Sequence, residues 1–137
     1  MVNKQKDKFL KKHEGEQSLA STSVNACFPK FSFEFCFGTD RGINKANKQV
    51  KLSVIEKVVY LSQIPWVDIK ALPRESGFER IDKGSFKKLT NIPNKFESEN
   101  KIVVFRLPSE LGRLIGYIEE ETFFVVWIDT KFNMYHH

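Results

Sequence analysis

KIVVFRLPSELGRLIGYIEEETFFVVWIDTKFNMY, residues 101–135, combines the densest apolar patterning of the chain with its most informative polar side chains. Because successive side chains of a strand point to opposite faces, the alternation here predicts three consecutive strands. The predicted strands are 102–107, 113–118 and 122–129. The third is apolar on both faces, which is typical of a strand covered on both sides. Turn-forming residues at 108–112 and three glutamates at 119–121 separate the strands, so the stretch predicts an antiparallel meander.

The first turn of this meander raises a question of charge. If the loop 107–112 contains no bulge, Arg106 and Arg113 lie directly opposite each other on one face, where like charges repel. Two interpretations stay open. Either an anion such as a phosphate sits between the two guanidinium groups, or the protein relieves the charge itself. Relief would come from another register, from extension into solvent or from pairing with a carboxylate such as Asp129.

Length and composition favour one modest domain. The chain has 137 residues, of which 41% are hydrophobic, and its formal net charge of +5 permits a polyanionic partner such as RNA. Two cysteines, Cys27 and Cys36, are too few for a disulfide framework and lack zinc-site spacing, so we expect reduced thiols in a cytoplasmic protein. We expect no membrane partner, since no apolar run approaches the ~18 residues that a span requires.

Known catalytic and cofactor motifs are absent from the sequence. There is no phosphate-binding or dinucleotide-binding glycine loop, no zinc-protease motif and no serine-hydrolase elbow. We therefore predict no metal, no cofactor and no nucleotide ligand of that kind.

The first half of the chain predicts a tail, a strand and two helices. Residues 1–26 are polar and lysine-rich, which predicts a flexible basic tail ahead of a single α+β domain over 27–137. KFSFEFCF at 30–37 alternates phenylalanine with other residues and predicts a half-buried strand, whose aromatic face either packs in the core or stacks on bases.

A helix follows, and its start is open between a capping box at Ser53 and Glu56 and an earlier cap at Asn47. Pro65 ends this helix and begins a short second one, in which Trp66 is expected to anchor the core. Residues 77–81 are either a short strand or an extended piece. The connector 84–100 carries Lys87 and Lys88, which would add positive charge beside the arginines if it folds back across the sheet.

Together these segments predict an α+β fold. We expect a mostly antiparallel four-stranded sheet, in which the strand at 30–37 joins the meander, and two helices packed on one face. The other face would be partly open and would carry the basic and aromatic residues. The predicted order of elements is β-α-α-β-β-β.

Several short motifs carry a resemblance to known proteins. They are Trp66-Val67-Asp68-Ile69, Phe105-Arg106, Gly112-Arg113-Leu114-Ile115-Gly116-Tyr117, Phe124-Val125-Val126-Trp127-Ile128-Asp129 and Met134-Tyr135-His136-His137. Over about residues 30–137 they resemble a group of small bacterial proteins of unassigned function. Through the order of elements and the terminal Tyr/His, the chain also resembles the RelE/ParE superfamily of bacterial toxin–antitoxin systems.

This resemblance implies mRNA cleavage, with or without the ribosome, by attack of a 2′-hydroxyl on the adjacent phosphate without a metal. Such chemistry needs a cation at the phosphate and a general base and acid beside it. The implied catalytic residues are Arg106, Arg113, Tyr135 and His136. The implied RNA-binding residues are Lys87, Lys88 and Lys131. RNA, the ribosome and a cognate antitoxin are the implied partners. Two other functions stay open, a non-catalytic protein-interaction module and an RNA-binding domain.

Overall fold

The structure is a computed structural model that describes residues 24–87 and 89–135. It confirms the α+β class. The elements are β1 (Lys30–Ser32), α1 (Lys48–Ser62), α2 (Trp66–Ala71), β2 (Phe78–Asp82), β3 (Lys101–Arg106), β4 (Arg113–Glu119) and β5 (Thr122–Asp129). Short 3-10 turns lie between several of them. The predicted tail at 1–26 falls outside the described residues, except for a 3-10 turn at Val24–Ala26.

The five strands form one mixed sheet in the order β1-β5-β4-β3-β2. Strands β2 to β5 are an antiparallel meander, whereas β1 pairs with β5 in parallel. The prediction of a mostly antiparallel four-stranded sheet was wrong in the number of strands, because residues 78–82 supply a fifth. The parallel pairing of β1 arises because the two helices carry the chain from β1 to the opposite edge of the sheet. Three hairpin reversals then bring β5 back beside β1 in the same direction.

Strand β1 is much shorter than the predicted strand at 30–37. The chain turns directly after it, and the backbone N–H of Cys36 donates to the carbonyl of Phe33 over 2.9 Å. Because of this turn, the alternating phenylalanines do not share one face of a strand. Phe31 meets Phe123 edge to face, while Phe35 packs against Phe96 and Phe37 is 70% exposed. The period of two therefore describes a strand only over its first three residues.

Both helices pack on one face of the sheet, as predicted. Helix α1 begins after Asn47, whose side-chain oxygen accepts the backbone N–H of Val50 over 2.9 Å. The capping box at Ser53 was wrong, because Ser53 lies buried inside the helix. Trp66 is buried where α2 begins, as expected, and its indole N–H donates to the carbonyl of Glu121 over 3.0 Å.

The opposite face of the sheet was predicted to be partly open and is instead covered by a second hydrophobic core. Its cover comes from the described connector residues 83–87 and 89–100 and the segment 130–135, together with Phe35. The buried residues of this core are Phe86, Phe96, Ile102, Val104, Ile115, Tyr117, Phe124, Val126, Trp127, Met134 and Tyr135. Apolar side chains on both faces of the central strands favour such a cover, because either face left open would expose them to water.

Candidate functional site

The two arginines of the first hairpin face each other as the unbulged register requires. Arg106 ends β3 and pairs directly with Arg113, which begins β4. The loop between them is closed by a 2.9 Å hydrogen bond from the backbone N–H of Leu107 to the carbonyl of Gly112. Within the loop, Ser109 and Glu110 have left-handed backbones, with φ of 58° and 53°. This tight connection fixes the separation of the two arginine backbones.

Glu79 is the carboxylate that relieves part of this charge. It lies on β2 opposite Val104, so it shares a face with Arg106, two residues further along β3. One guanidinium nitrogen of Arg106 lies 3.6 Å from Glu79 Oε1, and Arg74 lies 4.0 Å from Glu79 Oε2. Sequence reasoning assigned no role to Glu79, since its position depends on the pairing register of a strand that was only one of two alternatives.

Tyr135 joins the same cluster from the end of the described chain. Its backbone forms an isolated antiparallel bridge with Phe86, and its side chain is 2% exposed. The hydroxyl donates to Glu79 Oε1 over 3.5 Å, which is a long hydrogen bond. The guanidinium carbon of Arg113 lies 4.6 Å from the centre of the tyrosine ring. Tyr135 therefore contacts both the carboxylate and one of the arginines.

Arg113 lies between two aromatic rings. Its guanidinium carbon is 4.6 Å from the centre of Tyr135 and 4.7 Å from that of Phe132, distances at which a cation is attracted to a ring face. Its Nε is buried and has no hydrogen-bond partner among the described residues. The two rings thus contact the planar guanidinium group and restrict its position.

A groove opens beside the paired arginines. Its volume is about 290 Å³. The residues that line it are Arg106, Leu107, Glu110, Gly112, Arg113 and Phe132. Two of these side chains are positive and one is negative, so the groove carries a positive charge that suits a small anion.

The environment of Tyr135 keeps its hydroxyl protonated. Burial is the main cause that raises the pKa of Tyr135 to about 12, the carboxylate of Glu79 adds to the rise, and the positive charges of Arg113 and Arg106 oppose it. A phenol with this pKa is a weak proton acceptor in its neutral form and a poor acid near pH 7. Its contacts favour a role in orienting Arg113 and Glu79.

The free energy of unfolding at alkaline pH should depend on the burial of the tyrosine hydroxyls. Burial also raises the pKa of Tyr117 to about 12, whereas an unfolded tyrosine ionises near pH 10. Between about pH 10 and 12 the unfolded chain loses tyrosine protons that the native chain keeps. The contribution of these tyrosines to the free energy of unfolding is therefore fully present below about pH 10 and falls as the pH rises towards about 12. Denaturant unfolding across this range should show a shallower fall for Tyr135→Phe than for the wild-type chain. An unchanged pH dependence would contradict the buried hydroxyl.

Asp129 supports the site through hydrogen bonds to the backbone. It lies opposite Arg113 in the register and is buried. Its two carboxylate oxygens accept the backbone N–H groups of Lys131 over 3.2 Å and Met134 over 3.1 Å. The side chain therefore holds the turn after β5.

The remaining predicted site residues are three lysines and His136. Lys131 is exposed in the turn after β5. Lys87 is exposed too, and its backbone N–H donates to the carbonyl of Met134 over 3.0 Å, so the connector does fold back beside the segment that carries Tyr135. Lys88 and His136 lie outside the described residues.

The described residues offer neither a metal-binding cluster nor a helix that could span a membrane. Across 24–87 and 89–135, no group of three or more His, Cys, Asp or Glu side chains could hold a metal ion. In the same part of the chain, neither helix has the length and apolar character needed to cross a bilayer.

Comparison with profiles of known protein families, with curated proteins and with solved structures yields no match for this chain.

Proposed function

We propose that this protein binds RNA in the groove beside Arg106 and Arg113, as the toxin-like component of a bacterial toxin–antitoxin system in the cytoplasm. The observation that carries the RNA-binding part is the pair of directly opposed arginines at an open groove. The toxin-like part rests on the sequence motifs and element order described above. The ribosome and a cognate antitoxin are the partners that belong to this proposal.

A backbone phosphate suits the charge and shape of the groove. Guanidinium groups bind phosphate oxygens through paired N–H donors, and Arg106 and Arg113 both line the groove. Glu79 balances part of the charge of Arg106, so the groove attracts an anion without leaving the empty site strongly repulsive. Rigid placement matters as well, because less side-chain freedom is lost when the ligand binds.

Metal-independent RNA cleavage is the second candidate, and the carboxylate of Glu79 beside the arginines is the observation that favours it. In this reaction the 2′-oxygen forms a bond to the adjacent phosphorus while the bond to the 5′-oxygen breaks. The products are a 2′,3′-cyclic phosphate and a 5′-hydroxyl. Glu79 would accept the proton of the 2′-hydroxyl, water in the groove would protonate the departing 5′-oxygen, and Arg113 would stabilise the charge that develops on the phosphate oxygens.

Replacing Arg113 by alanine should weaken binding of a short single-stranded RNA about 10- to 100-fold, since a hydrogen bond to a charged group contributes roughly 1.5–3 kcal/mol. Fluorescence anisotropy of a labelled oligonucleotide measures this. The salt dependence should also become shallower, with a log–log slope reduced by about 0.7 for each phosphate that the variant no longer neutralises. Arg113→Lys should recover only part of the affinity, because lysine lacks the planar fork.

Arg80→Ala is the matched control. Arg80 is exposed on β2 and its guanidinium carbon lies 5.5 Å from the ring of Phe78, on the helix-covered face of the sheet. This variant loses the same charge without touching the groove, so it should bind RNA nearly as the wild type does. Equal losses for Arg80→Ala and Arg113→Ala would mean that net charge alone drives binding, and the groove would have no part in it.

The same mixtures distinguish binding from cleavage. If the chain is a ribonuclease, electrophoresis should show product from wild-type protein, with or without ribosomes, and none from Glu79→Gln at equal folded yield. An RNA with a single 2′-deoxy position should resist cutting there. Tight binding with intact RNA in every mixture would leave the protein as an RNA-binding component without catalysis.

A further inference from the structure

Phe132 occupies a backbone conformation that a phenylalanine rarely adopts. It lies in the turn after β5 with a φ of 56°, in the left-handed region where glycine and asparagine are common and bulky side chains are rare. Its side chain is also 38% exposed. Backbone strain and exposure of an aromatic ring both oppose folding, and strained residues of this kind concentrate at binding sites.

The turn that carries Phe132 is held from two sides. Asp129 accepts two backbone N–H groups of the turn, as described above. From the other side, the guanidinium group of Arg41 donates to Asn133 Oδ1 over 2.8 Å. These contacts hold the strained backbone of the turn in place.

The ring is placed next to the proposed phosphate site. Phe132 and Arg106 line the same groove, and the guanidinium carbon of Arg113 lies 4.7 Å from the centre of the ring. A nucleotide that rests its phosphate on the arginines would have its base within reach of the exposed ring surface. Stacking of a base on an aromatic side chain is the usual way in which proteins hold single-stranded nucleic acids.

We infer that Phe132 is a stacking platform for one nucleobase, and that the groove accepts single-stranded RNA with that base unstacked from its neighbours. This inference rests on the proposed RNA-binding function and names the substrate class of that site. The bases of a duplex are already stacked on each other and offer no free face to a protein ring. Single-stranded RNA is therefore preferred to a duplex of the same sequence.

Two substitutions of Phe132 test the platform. Phe132→Asn removes the ring and suits the left-handed backbone, so we expect no loss of thermal stability. It should weaken binding of a short single-stranded RNA about 5- to 100-fold, the range expected from the contribution of one stacked base. Phe132→Trp keeps a stacking surface and should retain most of the affinity. Phe37→Asn, at an exposed phenylalanine outside the groove, is the control and should bind as the wild type does.

Oligomers without bases separate stacking from phosphate binding. The probes are a short single-stranded RNA, a ribose-phosphate oligomer of the same length that lacks every base, and the corresponding duplex. Wild-type protein should bind the single strand at least about fivefold more tightly than the other two. Phe132→Asn should bind the single strand and the base-free oligomer alike. Binding of both oligomers should still depend on Arg113.

The outcomes keep the two proposals apart. If the wild-type chain binds none of these probes, both the RNA-binding function and the platform fail. If binding depends on Arg113 but the base-free oligomer or the duplex binds as well as the single strand, the function stands and the platform is overturned. Unchanged affinity of Phe132→Asn for the single strand would overturn the platform in the same way.

Discussion

Trp127→Ala is expected to lower the free energy of unfolding by about 3–5 kcal/mol, the usual cost of truncating a buried tryptophan. Trp127 lies on β5 opposite Ile115 and is 3% exposed in the second core. Its ring lies 6.4 Å from that of Tyr117, centre to centre. Truncation would leave a cavity between the sheet and its cover. The irregular segments of the cover are held by their own contacts, so they would not close it. Denaturant unfolding followed by circular dichroism measures the change.

Phe37→Ala is the control for this prediction, because an aromatic side chain is 70% exposed there. Its effect should stay within about 0.5 kcal/mol, as is usual for surface substitutions. If Trp127→Ala unfolds at the same denaturant concentration as the wild-type chain, residues 83–87, 89–100 and 130–135 do not cover this face as described. The second core would then be wrong.

The meander could be predicted from the sequence because its determinants are local. Strand β5 was predicted with the bounds that the structure has, Thr122–Asp129, and β4 differs by one residue at its end. Alternation of apolar side chains and short turns fix both the strands and their pairing order. The opposition of Arg106 and Arg113 was predicted only for a loop without a bulge, and the structure has that register.

The parts that the sequence did not predict depend on contacts between distant segments. Strand β2 pairs with a strand about twenty positions later, and β1 with one about ninety positions later. No local pattern specifies such partners. The cover of the second face is also irregular, so hydrophobic periodicity gives no sign of it.

The candidate site likewise combines features that the local sequence predicts with features that depend on contacts between distant segments. Glu79 reaches Arg106 only because β2 pairs with β3 in one particular register. Tyr135 was expected near the arginines, but its burial follows from the bridge to Phe86 in the connector. The ring of Phe132 became a candidate through its backbone angle and its contact with Arg113, neither of which composition or spacing reveals.

Gly116→Ala is expected to destabilise the fold by roughly 3 kcal/mol or more, at or beyond the upper end of the cost of overpacking a core. A β-carbon at this position would lie 1.8 Å from the carbonyl oxygen of Phe124 and 3.2 Å from the ring of Phe123. The first of these atoms is backbone in the neighbouring strand β5, so it cannot move without breaking the pairing. The site also adjoins the β-bulge at Ile115 and Gly116, where the register between β4 and β5 shifts.

Gly84→Ala is the matched control, since a β-carbon there would meet no atom within 4 Å. This substitution should change the free energy of unfolding by less than about 0.5 kcal/mol. Folded yield and thermal melting of the two variants measure the difference. A Gly116→Ala protein that melts with the Gly84→Ala protein would mean that β4 and β5 do not approach as closely as the bulge requires. The register that sets Arg113 opposite both Arg106 and Asp129 would then need revision, and the arginine groove with it.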